Sequence, residues 1–418
     1  MPELDSFADL IEPFSRRGVD LGLGRLQAAL AELEHPERRF AAVQVAGTNG
    51  KGSICTLVHR SLLAAGIRAG LYTSPHLVSW TERIHLGPEP IPAAALRRQL
   101  LSARAVAERH GLTPFELVTA AAFLAFAEAQ LPLVVLEVGL GGRLDATTCH
   151  PDRGVIGFAT VGLDHREFLG PDLASIAAEK AGVLQPGVVA ISAPQESAVA
   201  AVLERQAWAS GAQLRWREPL AQAADGRLDI AGQFCPCGLA GNVQAANGAV
   251  ALGMLEALAE RGWPVSATAI RAGFSEARWP GRLQQLHWRG VALLVDGAHN
   301  PPAAAALRAE LDQHPARHGL GAGPRHWLLG MLANKQGPEL VAQLLAADDQ
   351  AWIVPVPGHA SWSCHDLAAA LPQLARRLHP AADLEQAVNM AQQAAAGERL
   401  ILAGSLYLIG DLLAAASR

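Results

Sequence analysis

Gly47-Thr48-Asn49-Gly50-Lys51-Gly52-Ser53 gathers three glycines, a lysine and two hydroxyls into one short stretch. An apolar run, Phe40 to Ala46, leads into it, and a helical stretch, Ser53 to Ala65, leads out. Strand, glycine-rich turn and helix start are the parts of a phosphate-binding loop. Glycines let backbone N–H groups turn inward around phosphate oxygens, and the helix N-terminus adds a favourable partial charge. Lys51 is expected to reach the outer phosphates, with the Ser53 hydroxyl near a magnesium ion. Only Thr48 and Asn49 separate the first glycine from the next Gly-Lys pair, a shorter spacing than the common Walker form.

A second set of groups falls at predicted strand ends, where ligands bind in open α/β sheets. Glu137 closes the apolar run Leu133 to Val138, Ser74 follows Ile67 to Tyr72, and His165 follows Val155 to Val161. Together they offer a carboxylate oxygen, a hydroxyl and an imidazole. Taken singly they are weaker signals, because a strand-end Glu is often an ion-pair partner and a lone His is usually structural. Lys180, in Ile176-Ala177-Ala178-Glu179-Lys180-Ala181-Gly182, reads locally as a lysine complementing a helix C-terminus. Thr113-Pro114-Phe115-Glu116 reads as a capping box opening a long helix. Cys235-Pro236-Cys237 and Cys364-His365 have no second pair at zinc-site spacing, so no zinc site is expected.

The elements that must position these groups alternate between short apolar runs ending in Gly or Asp and Ala/Leu-rich helical stretches. That is the pattern of a mostly parallel α/β sheet. Gly187 to Ser192 adds a strand, Phe115 to Glu128 is the clearest helix, and Gly211 to Leu239 reads as a short β excursion. A second series has strands at Val291 to Val295, His326 to Leu329, Trp352 to Val356 and Leu400 to Ala403. Its helices are expected at Ala303 to Asp312, Leu340 to Ala347 and Asp366 to Leu378. Trp279-Pro280-Gly281 breaks the chain between the two series. Two α/β domains are expected, residues 1–280 and 281–418.

The 418 residues suffice for two or three domains, and 50% hydrophobic content supplies a large core. A net charge of −5 argues against general nucleic-acid binding. Met1-Pro2-Glu3-Leu4-Asp5 lacks the layout of a signal peptide, and the most apolar stretch, Leu117 to Leu140, is interrupted by Glu128, Gln130 and Glu137. Five cysteines without framework spacing fit a reducing cytoplasm, so a cytoplasmic protein without membrane partner is expected.

The shortened phosphate loop resembles that of the Mur-type amide ligases, specifically their folate branch, the dihydrofolate synthase/folylpolyglutamate synthase family. Further segments of that family appear in order over nearly the whole chain. They are Tyr72-Thr73-Ser74-Pro75-His76-Leu77 with Glu82-Arg83-Ile84, and Leu136-Glu137-Val138-Gly139-Leu140-Gly141-Gly142-Arg143-Leu144-Asp145-Ala146-Thr147. Gly162-Leu163-Asp164-His165, Glu179-Lys180-Ala181-Gly182, Pro280-Gly281-Arg282-Leu283, Asp296-Gly297-Ala298-His299-Asn300-Pro301 and Gly404-Ser405-Leu406-Tyr407 complete the series.

The resemblance implies a P-loop N-terminal domain with a pterin pocket and a smaller Rossmann-like C-terminal domain that completes the nucleotide and glutamate site between them. It implies that Thr48, Asn49, Gly50, Lys51, Gly52, Ser53, Asn247, Arg282 and Asp296 bind ATP. Ser74, Glu137 and His165 would ligate magnesium, with two ions expected. Lys180 would be carbamylated, and Lys51, Lys180 and His165 would be catalytic. Thr113, Pro114, Phe115, Glu116, Leu144, Asp145 and Ala146 would line the pterin pocket, Phe115 as an aromatic surface and Asp145 as an acceptor. The implied reaction is ATP-dependent ligation of L-glutamate to dihydropteroate, then to folates, through an acyl phosphate, by a monomer. The chain departs from the family's pattern at Val243, where many relatives have His, at Thr148, in place of a frequent Asn, and at Ala333-Asn334-Lys335-Gln336. A monofunctional folylpolyglutamate synthase shares these motifs. A peptidoglycan-precursor ligase would need a further N-terminal domain, a P-loop switch or kinase would show the longer loop, and a non-catalytic relative would not need Lys51, Glu137, His165 and Lys180 together.

Overall fold

The computed structural model describes residues 5–321, 323–395 and 397–416. Apart from Asp5, the acidic start of the chain lies outside them. The described residues form two compact units, one of Met1–Leu239 with Val243–Arg278, the other of Ala240–Asn242 with Trp279–Arg418.

The first unit is built on seven strands: β1 (Ala41–Ala46), β2 (Ala69–Tyr72), β3 (Ile84–His85), β4 (Leu133–Glu137), β5 (Arg153–Phe158), β6 (Val189–Ser192) and β7 (Gln213–Trp216). They lie in the order β3-β2-β4-β1-β5-β6-β7, all parallel except β3 against β2. The chain turns back on itself around β1, which has β4 on one side and β5 on the other. The carboxyl ends of these three strands are therefore where such a sheet opens a crevice. β1 and β4 read as largely apolar runs, with Gln44 inside β1 and Glu137 closing β4, because helices cover both faces, as central parallel strands require. One core packs Phe7, Leu10, Leu26 and Leu30 against Phe123 and Phe126. Another packs Ile156 and Phe158 against Ile176, Val199 and Leu203.

The stretch expected as a separate β excursion is divided. Its start is the edge strand β7, parallel to β6, and its remainder is the hairpin β8 (Leu228–Asp229) and β9 (Phe234–Cys235). An edge strand buries little, so β7 carries too few apolar residues to be read as part of the main sheet.

The second unit holds β10 (Gln284–Trp288), β11 (Val291–Val295), β12 (His326–Leu329), β13 (Gln350–Ile353), β14 (Leu378–Pro380) and β15 (Leu400–Ala403), in the order β10-β11-β15-β12-β13-β14. Only β10 runs antiparallel. Trp327 is its largest fully buried side chain. The helix expected over Asp366 to Leu378 is shorter, Cys364–Ala370. Pro372, which has no N–H to continue the ladder, follows it, and the chain passes through Ala375–Arg377 into β14. No described helix is long and apolar enough to cross a membrane.

Candidate active site

The phosphate loop leaves β1 at Gly47 and enters the helix Lys51–Ala64 at Gly50. Both glycines have positive φ, +138° and +98°, which L side chains rarely adopt. Neighbouring backbone holds the loop from below. Thr48 and Asn49 donate their N–H groups to the Thr160 carbonyl, at 2.8 and 3.2 Å. The Thr48 hydroxyl donates to the Gly162 carbonyl at 3.1 Å and accepts from its N–H at 3.0 Å. Thr48 is thus committed to the scaffold. Gly52 and Ser53 are buried in the helix's first turn.

Three distant groups close on this loop. Lys180, buried near the end of the helix Leu173–Ala181, donates from Nζ to the Gly47 carbonyl at 2.9 Å. Burial, assisted by the nearby Lys51 charge, pulls the Lys180 ammonium down to about 7. Asn247, on the helix Val243–Ala259, lies so close that a Cβ at Gly50 would stand 2.4 Å from its Oδ1. Its Nδ2 donates to Gln244 Oε1 at 3.1 Å. Lys51 Nζ donates to the Thr48 carbonyl at 3.2 Å and stands 4.0 Å from Glu137 Oε1.

Glu137, buried at the end of β4, accepts the Ser74 N–H on Oε2 at 3.1 Å. Ser74 precedes a cis proline, Pro75. His165 is partly exposed, has φ +50°, and places its imidazole 3.9 Å from Asp164 and 4.0 Å from Glu167. A buried strand-end carboxylate is a donor suited to a small hard cation that keeps waters and phosphate oxygens as its other ligands. Among the described residues no three His, Cys, Asp or Glu side chains converge as a cage.

Of the residues expected to form the pterin pocket, Phe115 and Asp145 meet at the glycine-rich turn after β4. Thr113 and Glu116 form the capping box of the helix Pro114–Glu128, and Glu116 also meets Arg25 at 3.3 Å. The Phe115 ring lies against the glycine-rich turn after β4, where a Cβ at Gly139 would stand 2.5 Å from it. Asp145 is buried, and its carboxylate gathers that turn. Oδ2 accepts the Gly139 and Leu140 N–H groups at 3.0 and 2.9 Å, while Oδ1 accepts from Thr147 N at 3.0 Å and Thr147 Oγ1 at 2.5 Å. Burial pushes its carboxyl above the usual range against the pull of these donors. A ligand donating hydrogen bonds to Asp145 must therefore displace one of these donors. Ala146 is buried in the first core and Leu144 is partly exposed.

In the second unit, Asp296 follows β11 and accepts the Leu283 and Ala298 N–H groups at 3.0 and 2.9 Å. Burial raises its carboxyl above the usual range, and the charge of nearby Arg282 opposes the rise. Arg282 packs over Gly297, where a Cβ would push its guanidinium aside.

Sequence reading missed Thr160, which accepts the loop amides, and Gln195, which holds Val161 N at 3.0 Å and the Ala159 carbonyl at 3.2 Å. Neither lies in a patterned motif. Asp164, whose charge supports that of Lys180, was visible in the Leu163-Asp164-His165 stretch but was given no role. The described cysteines are all free.

Residues 281–415 match the family described as dihydrofolate synthetase, C-terminal domain. The dihydrofolate synthetase of Saccharomyces cerevisiae is 32% identical over 423 residues, covering 94% of this chain and 97% of its own. The dihydrofolate synthase/folylpolyglutamate synthase of Escherichia coli K12 is 34% identical over 360 residues, covering 85% and 82%. Among solved structures, a bifunctional folylpolyglutamate synthase/dihydrofolate synthase with Mn, AMPPNP and L-glutamate bound superposes with a TM-score of 0.85 at 31% identity, covering 99% of this chain and 98% of that one.

Proposed function

The chain belongs to the dihydrofolate synthase/folylpolyglutamate synthase family, and we infer from that membership that it is an ATP-dependent ligase adding L-glutamate to folates. The finer reading is that it acts on both dihydropteroate and reduced folates. The observation that carries the chemistry is the convergence of Lys51, Lys180 and Glu137 on one glycine loop.

A carboxylate does not condense with an amine at neutral pH until it is activated. In the proposed reaction the γ-phosphoryl of ATP passes to the acceptor carboxylate, releasing ADP and leaving an acyl phosphate. The glutamate amine then attacks the acyl carbon, loses a proton, and phosphate departs as the amide forms. The loop amides from Gly50 onward orient the phosphates, and Lys51 offsets charge on the outer ones. Asn247, against Gly50, is assigned to the nucleotide, as are Arg282 and Asp296 of the second unit. Glu137, with Ser74 and His165, would hold magnesium, which supplies charge neutralisation at the transferring phosphoryl. The depressed Lys180 ammonium supports carbamylation, because a neutral amine is the form that adds carbon dioxide. Phe115 and the turn held by Asp145 are assigned to the pterin ring of the acceptor.

The chain is proposed to work as a cytoplasmic monomer without nucleic-acid or membrane partners, a reading supported by its net charge of −5 and its free cysteines. The test is ADP release with ATP, magnesium and glutamate, comparing dihydropteroate, tetrahydrofolate and no acceptor, with mass spectrometry of the products. One glutamate on dihydropteroate and further glutamates on tetrahydrofolate are expected. Activity on one acceptor alone makes the enzyme monofunctional, and no amide on either removes the folate assignment.

A further inference from the structure

Arg153, at the start of β5, is a buried cation whose bonds all go to neutral acceptors. Its Nε donates to the His150 carbonyl at 2.8 Å, and one terminal nitrogen donates to Gln44 Oε1 at 2.6 Å and the Val183 carbonyl at 3.1 Å. The other donates to Gln185 Oε1 at 3.0 Å. None of the ion pairs among the described residues includes it. Burial draws its guanidinium down to about 10. A buried charge held only by dipoles is costly and often replaceable by an apolar side chain, so what it holds is the more informative question.

It holds Gln44, the one polar side chain in the middle of β1. An arginine only donates, so Gln44 must turn its oxygen towards Arg153 and its amide nitrogen the other way. That nitrogen donates to the hydroxyls of Thr147 at 2.8 Å and Thr148 at 3.0 Å. Each threonine, having accepted, is left with its own proton to give. Thr147 donates to Asp145 Oδ1 at 2.5 Å, and Thr148 to the Gly142 carbonyl at 2.7 Å. Asp145 in turn gathers the Gly139 and Leu140 amides. The chain of donors has a single direction, running from Arg153 through Gln44 and the two threonines to the turn that packs on Phe115.

We propose that Arg153 is a positioning residue for the carboxylate acceptor, orienting Gln44 so that the turn Gly139–Thr148 is pre-shaped to receive it. The proposal rests on reading that turn as part of the acceptor site. Gln44→Glu tests it without emptying the core. A carboxylate at this position pairs with Arg153 and supports folding, but it only accepts, so both threonine hydroxyls are drawn away from Asp145 and Gly142. Initial rates with varied tetrahydrofolate or varied ATP, alongside thermal unfolding, are the readouts for Gln44→Glu, Arg153→Met and Phe115→Ala. The expected result is an acceptor KM raised on the order of 10-fold in Gln44→Glu and Arg153→Met, from loss of one charge-assisted bond, with the ATP KM within about 2-fold. Gln44→Glu should unfold no earlier than the parent. If both leave the acceptor KM unchanged while Phe115→Ala raises it, Arg153 is merely structural and the proposal fails. If Phe115→Ala also leaves it unchanged, the acceptor reading of the turn fails and takes the proposal with it.

Discussion

Replacing Lys180 with methionine should make the protein more stable and leave it inactive. The Lys180 ammonium is buried, donates one hydrogen bond to the Gly47 carbonyl, and is drawn from 10.5 to about 7. Between those two pH values the unfolded chain holds a proton on this lysine that the folded chain has released. Stability therefore rises with pH across that window, and below it the folded state bears the whole penalty. The gap converts, at about 1.36 kcal/mol per pH unit, to at most about 5 kcal/mol. By pH 9 about 2 kcal/mol of it remains, and near pH 10.5 almost none. Methionine keeps most of the side-chain volume and loses a hydrogen bond worth roughly 1 kcal/mol. The net gain is about 3 kcal/mol at pH 7 and about 1 kcal/mol at pH 9. Denaturant unfolding of both proteins in carbon-dioxide-depleted buffer at pH 7, 8 and 9 measures this directly, with ADP release as the activity readout. A Lys180→Met protein less stable than the parent at pH 7, or a gain that does not shrink as pH rises, would refute the reasoning.

Other expectations concern the loop, the carboxylate and the second unit. Gly50→Ala places a Cβ 2.4 Å from Asn247 Oδ1 at a φ of +98°, so the side chain of Asn247 must move; the ATP KM should rise by about 10-fold or more with a stability loss of roughly 1–2 kcal/mol, checked by initial rates and thermal melts. Glu137→Gln retains an acceptor for Ser74 N–H but removes the negative charge 4.0 Å from Lys51, and kcat should fall at least about 100-fold while magnesium dependence shifts to higher concentration. Asp349 accepts from Arg325 N at 2.7 Å, Ala346 N at 3.0 Å and Trp327 Nε1 at 3.1 Å, and also pairs with Arg308, which keeps Asp312 as a second partner; Asp349→Ala should cost about 3–5 kcal/mol in chemical denaturation, because it leaves two backbone amides and a buried indole N–H without their acceptor.

The chemistry of this protein was legible in its local patterns. A strand, a glycine turn and a helix start are neighbours in sequence, so Gly47 to Ser53 announces a phosphate loop without any knowledge of the fold. The capping box of Thr113 and Glu116 is equally local, spanning one helical turn. Burial on both faces made β1, β4 and β12 into apolar runs that could be read directly, whereas the half-exposed strands β7 and β10 were not. What a residue meets across the fold is a different matter. Lys180 looks like an ordinary helix-end lysine until a carbonyl 133 positions away is placed beneath it, and only that burial turns it into a group titrating near neutrality. Gln44 and Arg153 carry no motif at all, being polar residues on central strands whose partners lie 103 and 109 positions distant. Backbone propensity and periodicity act over a few residues and so are written in order along the chain. Desolvation and the direction of a hydrogen-bond chain depend on which segments the sheet brings side by side, and only the tertiary structure decides that.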